Sequence, residues 1–431
     1  EIWVSESQER MMFTVKPENV KTVLDRCNAW DVEAVAIGEV IKEKRNIVRF
    51  NNTEILNLDL EFTTGGPVYN RPYTLPKINN LEAVKLPELP LNLSKTIEEI
   101  ISNPEVASKD WVIRQYDHEV RGATAIKPIQ GKIGKEVHGD SSVLKPVEDS
   151  WKGLALTTDI NPHLMEANPY HGTMSAVEEI CRNLASVGAR IDSLADCLCF
   201  GNPQRPEIMG QFKSSCDALR DAATSVDVPY VSGNVSLYNE TTEGAIPPTP
   251  VLMGIGLVND IRKCITSDLK NEGDIWLVGD NKQQMGASLY YRTLGLNCPN
   301  VPTTDFDSFI PRMEQLIDAI ECEEVAACHD ISTGGLVLAI IEMCMSGVGA
   351  KINLSGEMRD DLELFNESNG RWLVQVKPGF EEKFSKRFDF AKKIGTVNET
   401  VEFILHNKQK LNFSIDKLRK IWTEPLWNRL A

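Results

Sequence analysis

The sequence contains no G-x-x-x-x-G-K-[ST] stretch, and no G-x-G-x-x-G follows an apolar run. The first absence excludes a Walker phosphate loop, and the second leaves a dinucleotide fold unsupported. There is no C-x-x-C pair among the ten cysteines. Cys197 and Cys199 lie two apart, which is poor spacing for a metal site, so reduced thiols in a cytosolic protein are the expectation. No apolar run is long enough to span a bilayer; the best, residues 336–345, is interrupted by Glu342. No secretory leader pattern is present. Basic residues are scarce, 46 Lys and Arg against 62 Asp and Glu, for a net charge of -16. That balance argues against nucleic acid or an anionic membrane as the main partner. An anionic substrate would need local help from a divalent metal, backbone N–H groups or a few placed cations.

At 431 residues, with 25% charged and 42% hydrophobic side chains, the chain is expected to be a soluble globular protein of two or three domains. It does not begin with Met, and its first residues have a strand-like pattern. The expectation is a start inside a domain.

What the sequence does contain is a repeat. Ser5 opens "SESQERMMFTVKP" and Asn366 opens "NESNGRWLVQVKP". Glu6 falls over Glu367, Ser7 over Ser368, Arg10 over Arg371 and Pro17 over Pro378, at a constant offset of 361. Each copy continues with a β-prone run (residues 11–15 and 372–376), stopped by Lys-Pro because proline cannot continue a central ladder. A helical pattern follows: Val20, Val23, Leu24 and Cys27 in one copy, Phe380, Phe384 and Phe388 in the other. A strand with glycine then closes each unit, "AVAIGEV" at Ala34 and "AKKIGTV" at Ala391. The second copy has about a hundred residues before it from Gly273, and the first has no counterpart of them.

Between the copies, "GGPVYNRPYTLPK" reads as an extended connector. A helix is expected near Thr96, with Glu99 completing a capping box. The middle region alternates strands and helices. One helix shows Val177, Ile180, Cys181 and Leu184 on a face and ends near Gly188; a second shows Phe212, Cys216, Leu219 and Ala223. "PTPVLMGIGLV" is the closing strand.

Three loops here share a pattern: "TTDINP", "ADCLCFGNP" and "VSGNVSLYNE". Each sets Asp or Asn beside turn-forming residues. Carboxylate and amide oxygens suit Mg²⁺, and glycine lets backbone N–H groups approach phosphate oxygens. Singly, each is equally a plain turn. "YDHEVRG" places His118 among charges, where a structural role competes with a chemical one. In "HDISTGG", Asp330 precedes a Gly-Gly pair, so its carboxylate either holds a metal near a helix N-terminus or caps that helix. Glu-Ser-x-x-Arg offers a carboxylate, a hydroxyl and a guanidinium to a polyhydroxylated or phosphorylated molecule. Alternatively Glu and Arg pair with each other.

"SESQERM", "YDHEV", "DCLCFGNP", "SGNVSLYNE", "HDISTGG" and "NESNGRWLV", in this order over essentially the whole chain, resemble small-type phosphoribosylformylglycinamidine synthase, of the aminoimidazole ribonucleotide synthase superfamily. The resemblance implies an α+β / α/β, PurM-like fold in the order A1-B1-A2-B2. A domains each form half of a shared β-barrel, and B domains are α/β sandwiches. The chain would hold the end of B1 with a linker (residues 1–80), A2 (81–258) and B2 (259–431). The family converts formylglycinamide ribonucleotide, with ATP, Mg²⁺ and ammonia, to the amidine through an iminophosphate, in purine synthesis. Phosphate is the better leaving group, and Mg²⁺ neutralises its charge. Ammonia comes from a glutaminase subunit, with a small bridging subunit between, in the cytoplasm.

By matching motif, Glu6, Ser7, Gln8 and Ser236 resemble substrate contacts. Asp196 and Gly233 resemble nucleotide contacts, and Asn234 a Mg²⁺ ligand. Asp159 and Asp330 stand in loops that correspond to further metal or nucleotide contacts. The family's catalytic histidines fall in A1 and have no counterpart here. Ile160, Cys199 and "GDSSVL" depart from the usual Gly, Asn and "GDAAVL". Competing readings are a non-catalytic scaffold or auxiliary nucleotide-binding half, and another superfamily member such as a selenophosphate synthetase. The second is disfavoured by the stranded half-domain at the start. An A2 sheet without A1 is expected to expose its edge and apolar face.

Overall fold

In the computed structural model, which describes residues 5–77, 86–296, 298, 300–388 and 390–430, the chain divides into two units, Glu1–Asn70 and Arg71–Ala431. In the first unit the helical pattern after Pro17 forms as expected, over Val20–Ala29. An antiparallel hairpin, Arg45–Phe50 with Thr53–Asp59, follows and leads into a short helix, Leu60–Thr64, capped by the Asp59 carboxylate.

The two strands expected in the first copy do not form: residues 11–15 and 34–40 have no ladder. Their counterparts in the second copy explain why. Trp372–Val376 is a strand because Asp274–Val278 and Val325–Asp330 pair with it on both edges. Among the described residues nothing pairs with Met11–Val15, so Met11 and Met12 remain 82% and 83% exposed. β-propensity alone does not hold a strand; cross-strand packing does.

The second unit is built on two sheets. One has six strands, in the order Thr124–Ile126, Ser142–Leu144, Gly153–Asp159, Thr249–Val258, Arg190–Cys199, Tyr230–Ser236. All neighbours are antiparallel except the last two, joined in parallel by the crossover helix Pro206–Val226. The other has seven strands, in the order Val325–Asp330, Trp372–Val376, Asp274–Val278, Lys392–Asn398, Gly349–Asn353, Val401–Ile404, Lys410–Phe413. It contains the strand and the glycine strand of the second repeat, then a hairpin and a helix, Ile415–Leu430, the same order as in the first copy.

The helix Pro169–Ser186 lies between the sheets. Asn168 caps it by accepting the His171 N–H, and Pro169 sits at its first turn, where no amide donor is needed. Val177, Ile180, Cys181 and Leu184 are wholly buried, as the face predicted them to be. The opposite face is buried too, against the Phe306–Glu321 helix and the Val325–Asp330 strand. A helix buried all round must satisfy its polar side chains internally, and Glu178 and Arg182 on this one do so through charge.

The expected helix near Thr96 starts earlier, at Leu93, because Asn92 rather than Thr96 caps it by accepting the Lys95 N–H at 3.1 Å. Phe212, Cys216 and Leu219 of the crossover helix pack on the core as read from their spacing.

Candidate functional site

The repeated Glu-Ser-x-x-Arg motif makes one and the same turn twice. Arg10 Nε donates to the Ser7 carbonyl at 3.1 Å and Nη2 to the Ser5 carbonyl at 2.5 Å. In the second copy, Arg371 Nε donates to the Ser368 carbonyl at 2.9 Å and Nη2 to the Asn366 carbonyl at 2.6 Å. All three positions keep the 361-residue offset. The residue before each arginine has positive φ, 60° at Glu9 and 75° at Gly370. The arginine therefore braces its own turn, and neither arginine pairs with the glutamate of its motif.

The copies differ in what surrounds them. In the second, Glu367 Oε1 accepts the N–H groups of Leu289 and Gly334, at 2.9 and 2.8 Å. Ser368 Oγ bridges the N–H and carbonyl of Lys282, at 3.0 and 2.8 Å. Ser368 and Arg371 are wholly buried. This copy is architecture. In the first, Glu6, Ser7 and Gln8 are exposed, and their side-chain hydrogen bonds stay within the turn, Ser7 to Ser5 and Gln8 to the Glu6 carbonyl.

Burial pushes the Glu367 carboxyl up to about 7, against the pull of its two backbone donors. The fold therefore binds a proton that the unfolded chain, with a carboxyl near 4.3, releases earlier. Stability from this group is fully present below about pH 4.3 and is lost as pH rises through about 7. Glu367→Gln keeps both acceptor contacts without the charge. It is expected to flatten the pH dependence between about 4.5 and 7 and to raise stability at pH 8 by about 1–2 kcal/mol. Urea unfolding of both proteins across this range checks it.

Two of the three expected loops are strands. "ADCLC" ends the strand Arg190–Cys199, and "VSGNVS" lies in the strand Tyr230–Ser236. Their parallel register sets Asp196 opposite Gly233, Cys197 opposite Asn234 and Cys199 opposite Ser236. Residues 37 apart in sequence thus become neighbours. A Cβ built on Gly233 would stand 3.0 Å from Asp196 Oδ2, so glycine leaves the space in front of the carboxylate open. Asp196 accepts the Asn234 backbone N–H, and burial raises its pKa. Ser236 Oγ lies 3.2 Å from Asn239 Nδ2, which also donates to the Phe200 carbonyl. Gly233 and Asn234 are exposed on the outer strand. The half-open Asp196 carboxylate beside the unobstructed Gly233 backbone suits Mg²⁺ and a phosphate, whereas the Asn234 side chain lies on the other face of the sheet, beside Cys197.

The third loop and "HDISTGG" meet elsewhere, in a buried charge cluster that the sequence did not reveal. Arg182 Nη1 donates to Glu178 at 2.7 Å, and Nη2 lies 3.2 Å from Glu179 and 3.4 Å from Asp330. His329 Nδ1 bonds Asp140 at 2.6 Å and Nε2 bonds Glu342 at 3.2 Å. Glu178 Oε1 also accepts the Gly370 N–H at 3.0 Å, tying the helix to the repeated turn.

Asp330 neither caps the following helix nor stands free. It is buried beside Arg182, and Gly334 occupies the cap position with φ 85°. Asp140, His329 and Asp330 bring ligand atoms within 4.8 Å of one another. Burial opposes charge on His329, but Asp140 and Glu342 outweigh it and hold the imidazolium. An imidazolium with both nitrogens bonded to carboxylates has no lone pair for a metal. Burial raises Asp159 and Glu178 to about 7. The Oδ2 atoms of Asp159 and Asp330 lack hydrogen-bond partners. These carboxylates still outnumber Arg182 and His329, so the cluster is an ion network with acid in excess. The motif Glu-Glu-x-x-Arg on the helix was the available signal; its partners come from sequence-distant strands. His118 Nδ1 bonds the Tyr116 carbonyl, and His138 Nε2 accepts the Lys109 N–H.

An AIR synthase related protein N-terminal domain matches residues 138–258, and the corresponding C-terminal domain matches residues 1–51 and 292–407. The C-terminal domain thus matches in both repeat copies. The chain belongs to the AIR synthase related family and is similar to proteins named phosphoribosylformylglycinamidine synthase subunit PurL. It is 34% identical to that subunit of Thermoplasma acidophilum over 99% of its own length and 56% of the relative's. It is 37% identical to that of Thermococcus sibiricus over 98% and 58%. The chain therefore spans little more than half the length of the curated relatives it matches. Among solved structures, the PurLQS structure from Thermotoga maritima superposes with a TM-score of 0.62 at 22% identity, over 92% of this chain and 56% of that one. T. maritima PurL complexed with ATP gives 0.59 at 21% identity, over 91% and 55%. Both share the fold.

Proposed function

We propose that this chain supplies part of a phosphoribosylformylglycinamidine synthase, an ATP-dependent ligase. In this reading Asp196 and Gly233 contact the nucleotide, and Asn234 holds Mg²⁺. Ser236 is a contact for formylglycinamide ribonucleotide, and Glu6, Ser7 and Gln8 are contacts of the same kind. The observation that carries it is the parallel register that brings Asp196, Gly233, Asn234 and Ser236 from two separate stretches onto two adjacent strand ends. Bound there, Mg²⁺ would neutralise phosphate charge. The chain's own groups orient: the Asp196 carboxylate, in front of Gly233, faces one side of the strand pair, and the Asn234 amide and the Ser236 hydroxyl, set by Asn239, face the other. The partners are a glutaminase subunit, a small bridging subunit and the A1–B1 portion found in the longer relatives, in the cytoplasm. No described helix is long and apolar enough to cross a membrane. Titration of the chain with Mg·ADP tests the reading; saturable binding abolished by Asp196→Asn supports it, and binding that ignores this change removes it.

The six-stranded sheet has one open face. Along Thr249–Val258, alternate residues from Pro250 to Val258 are buried, whereas Val251, Met253 and Ile255 are half-buried and Leu257 is 49% exposed. Val231 and Val235 on the edge strand are 63% and 53% exposed. An apolar sheet face with an open edge associates. The chain is expected to sediment above the monomer mass, and Leu257→Lys with Met253→Lys, both on that face, to return it to monomer. A monodisperse unsubstituted monomer would contradict this.

A further inference from the structure

Cys197 and Cys199 are two apart, which is poor spacing on a turn but the spacing that puts two side chains on one face of a strand. Their strand, Arg190–Cys199, carries both on the face away from Leu194 and Leu198, which are buried. The two Sγ atoms stand 3.9 Å apart. Two thiolates at 2.3 Å from one tetrahedral ion stand about 3.8 Å apart. Both cysteines are half-buried rather than sealed, unlike Cys181, Cys328 and Cys344. The Asn234 side chain lies at the rim, its Nδ2 3.4 Å from Cys197 Sγ. Among the described residues no other pair of thiols is in contact.

We propose that Cys197 and Cys199 form a two-thiolate site for a thiophilic divalent cation of the Zn²⁺ or Cd²⁺ class. On binding, the two S–H groups release their protons to solvent and two metal–sulfur bonds form, with no change of oxidation state. The Asn234 amide oxygen, after a flip of the side chain, or solvent fills the remaining positions. Affinity rises with pH because the ligands must be deprotonated. Because Asn234 is shared with the proposed nucleotide site, the bound cation competes with Mg·nucleotide there. That consequence rests on the proposed function; the site itself does not.

The test is titration of the full chain with Cd²⁺, read by its sulfur-to-metal charge-transfer absorbance. One ion per chain is expected, with the band lost in Cys197→Ser/Cys199→Ser and retained in Cys322→Ser. A band that persists in the double variant, or none in the unsubstituted chain, overturns the proposal. Peptide mapping after alkylation gives a readout that needs no variant. Cd²⁺ or Zn²⁺ should protect Cys197 and Cys199 together while exposed Cys322 still reacts; protection of neither sinks the site. If the thiols are protected but Mg·ADP still binds unchanged, the shared use of Asn234 fails while the metal site stands.

Discussion

Arg371→Ala is expected to destabilise the Arg71–Ala431 unit by about 3–5 kcal/mol, while Arg10→Ala in the same motif costs less than about 1 kcal/mol. The two arginines make matching bonds to their own turns. Arg371 adds a bond to Asn281 Oδ1 at 2.6 Å and is wholly buried. Removing it leaves the Asn366 and Ser368 carbonyls and the Asn281 amide oxygen without a donor, each worth about 1–3 kcal/mol when buried. Water replaces the Arg10 side chain at an exposed turn. Arg371→Lys should recover only part of the loss, because an ammonium cannot reproduce the fork that spans two carbonyls. Urea unfolding followed by tryptophan fluorescence reads the effect, since Trp276, Trp372 and Trp422 sit in the core of this unit. Equal losses at both positions would mean that the copies play one role.

The second large effect falls on the strand pair. Asp196→Asn is expected to weaken Mg·nucleotide binding by about 100-fold, or about 2.7 kcal/mol. It keeps the shape and removes the charge that faces the space left by Gly233. Because burial already raises the Asp196 pKa, a neutral amide there should leave stability unchanged or slightly higher. Asn234→Ala should weaken binding in the same direction. Asp192→Asn, on an exposed position of the same strand, should leave it unchanged. Calorimetric titration with Mg·ADP distinguishes the three. A similar loss in all of them would point to general electrostatics in place of a site.

Much of the architecture was legible in the sequence because it is local. The repeat showed in a gapless alignment, and the structure carries it down to the arginine hydrogen bonds and the positive φ at Glu9 and Gly370. The helices showed in the spacing of Val177, Ile180, Cys181 and Leu184 and of Phe212, Cys216 and Leu219. What failed was whatever depends on partners. Met11–Val15 has the pattern of Trp372–Val376 but no flanking strands, so no ladder forms. The loops at Asp196 and Asn234 proved to be strands because the Thr249–Val258 strand and the crossover helix align them. The buried ion network joins residues 140, 182, 329 and 342, which no periodicity connects. Its excess of acid over base is visible only once the central helix is seen to be buried on both sides.

The central claim is that these strands hold the nucleotide of an amide-activating ligase. The most direct measurement is phosphate release from ATP with formylglycinamide ribonucleotide and ammonium chloride, by the chain mixed with the A1–B1 portion of a PurL relative. The account predicts release that requires both polypeptides and the ribonucleotide, and that falls at least about 100-fold with Asp196→Asn in this chain. Release from the relative's portion alone, or release indifferent to Asp196, would contradict it.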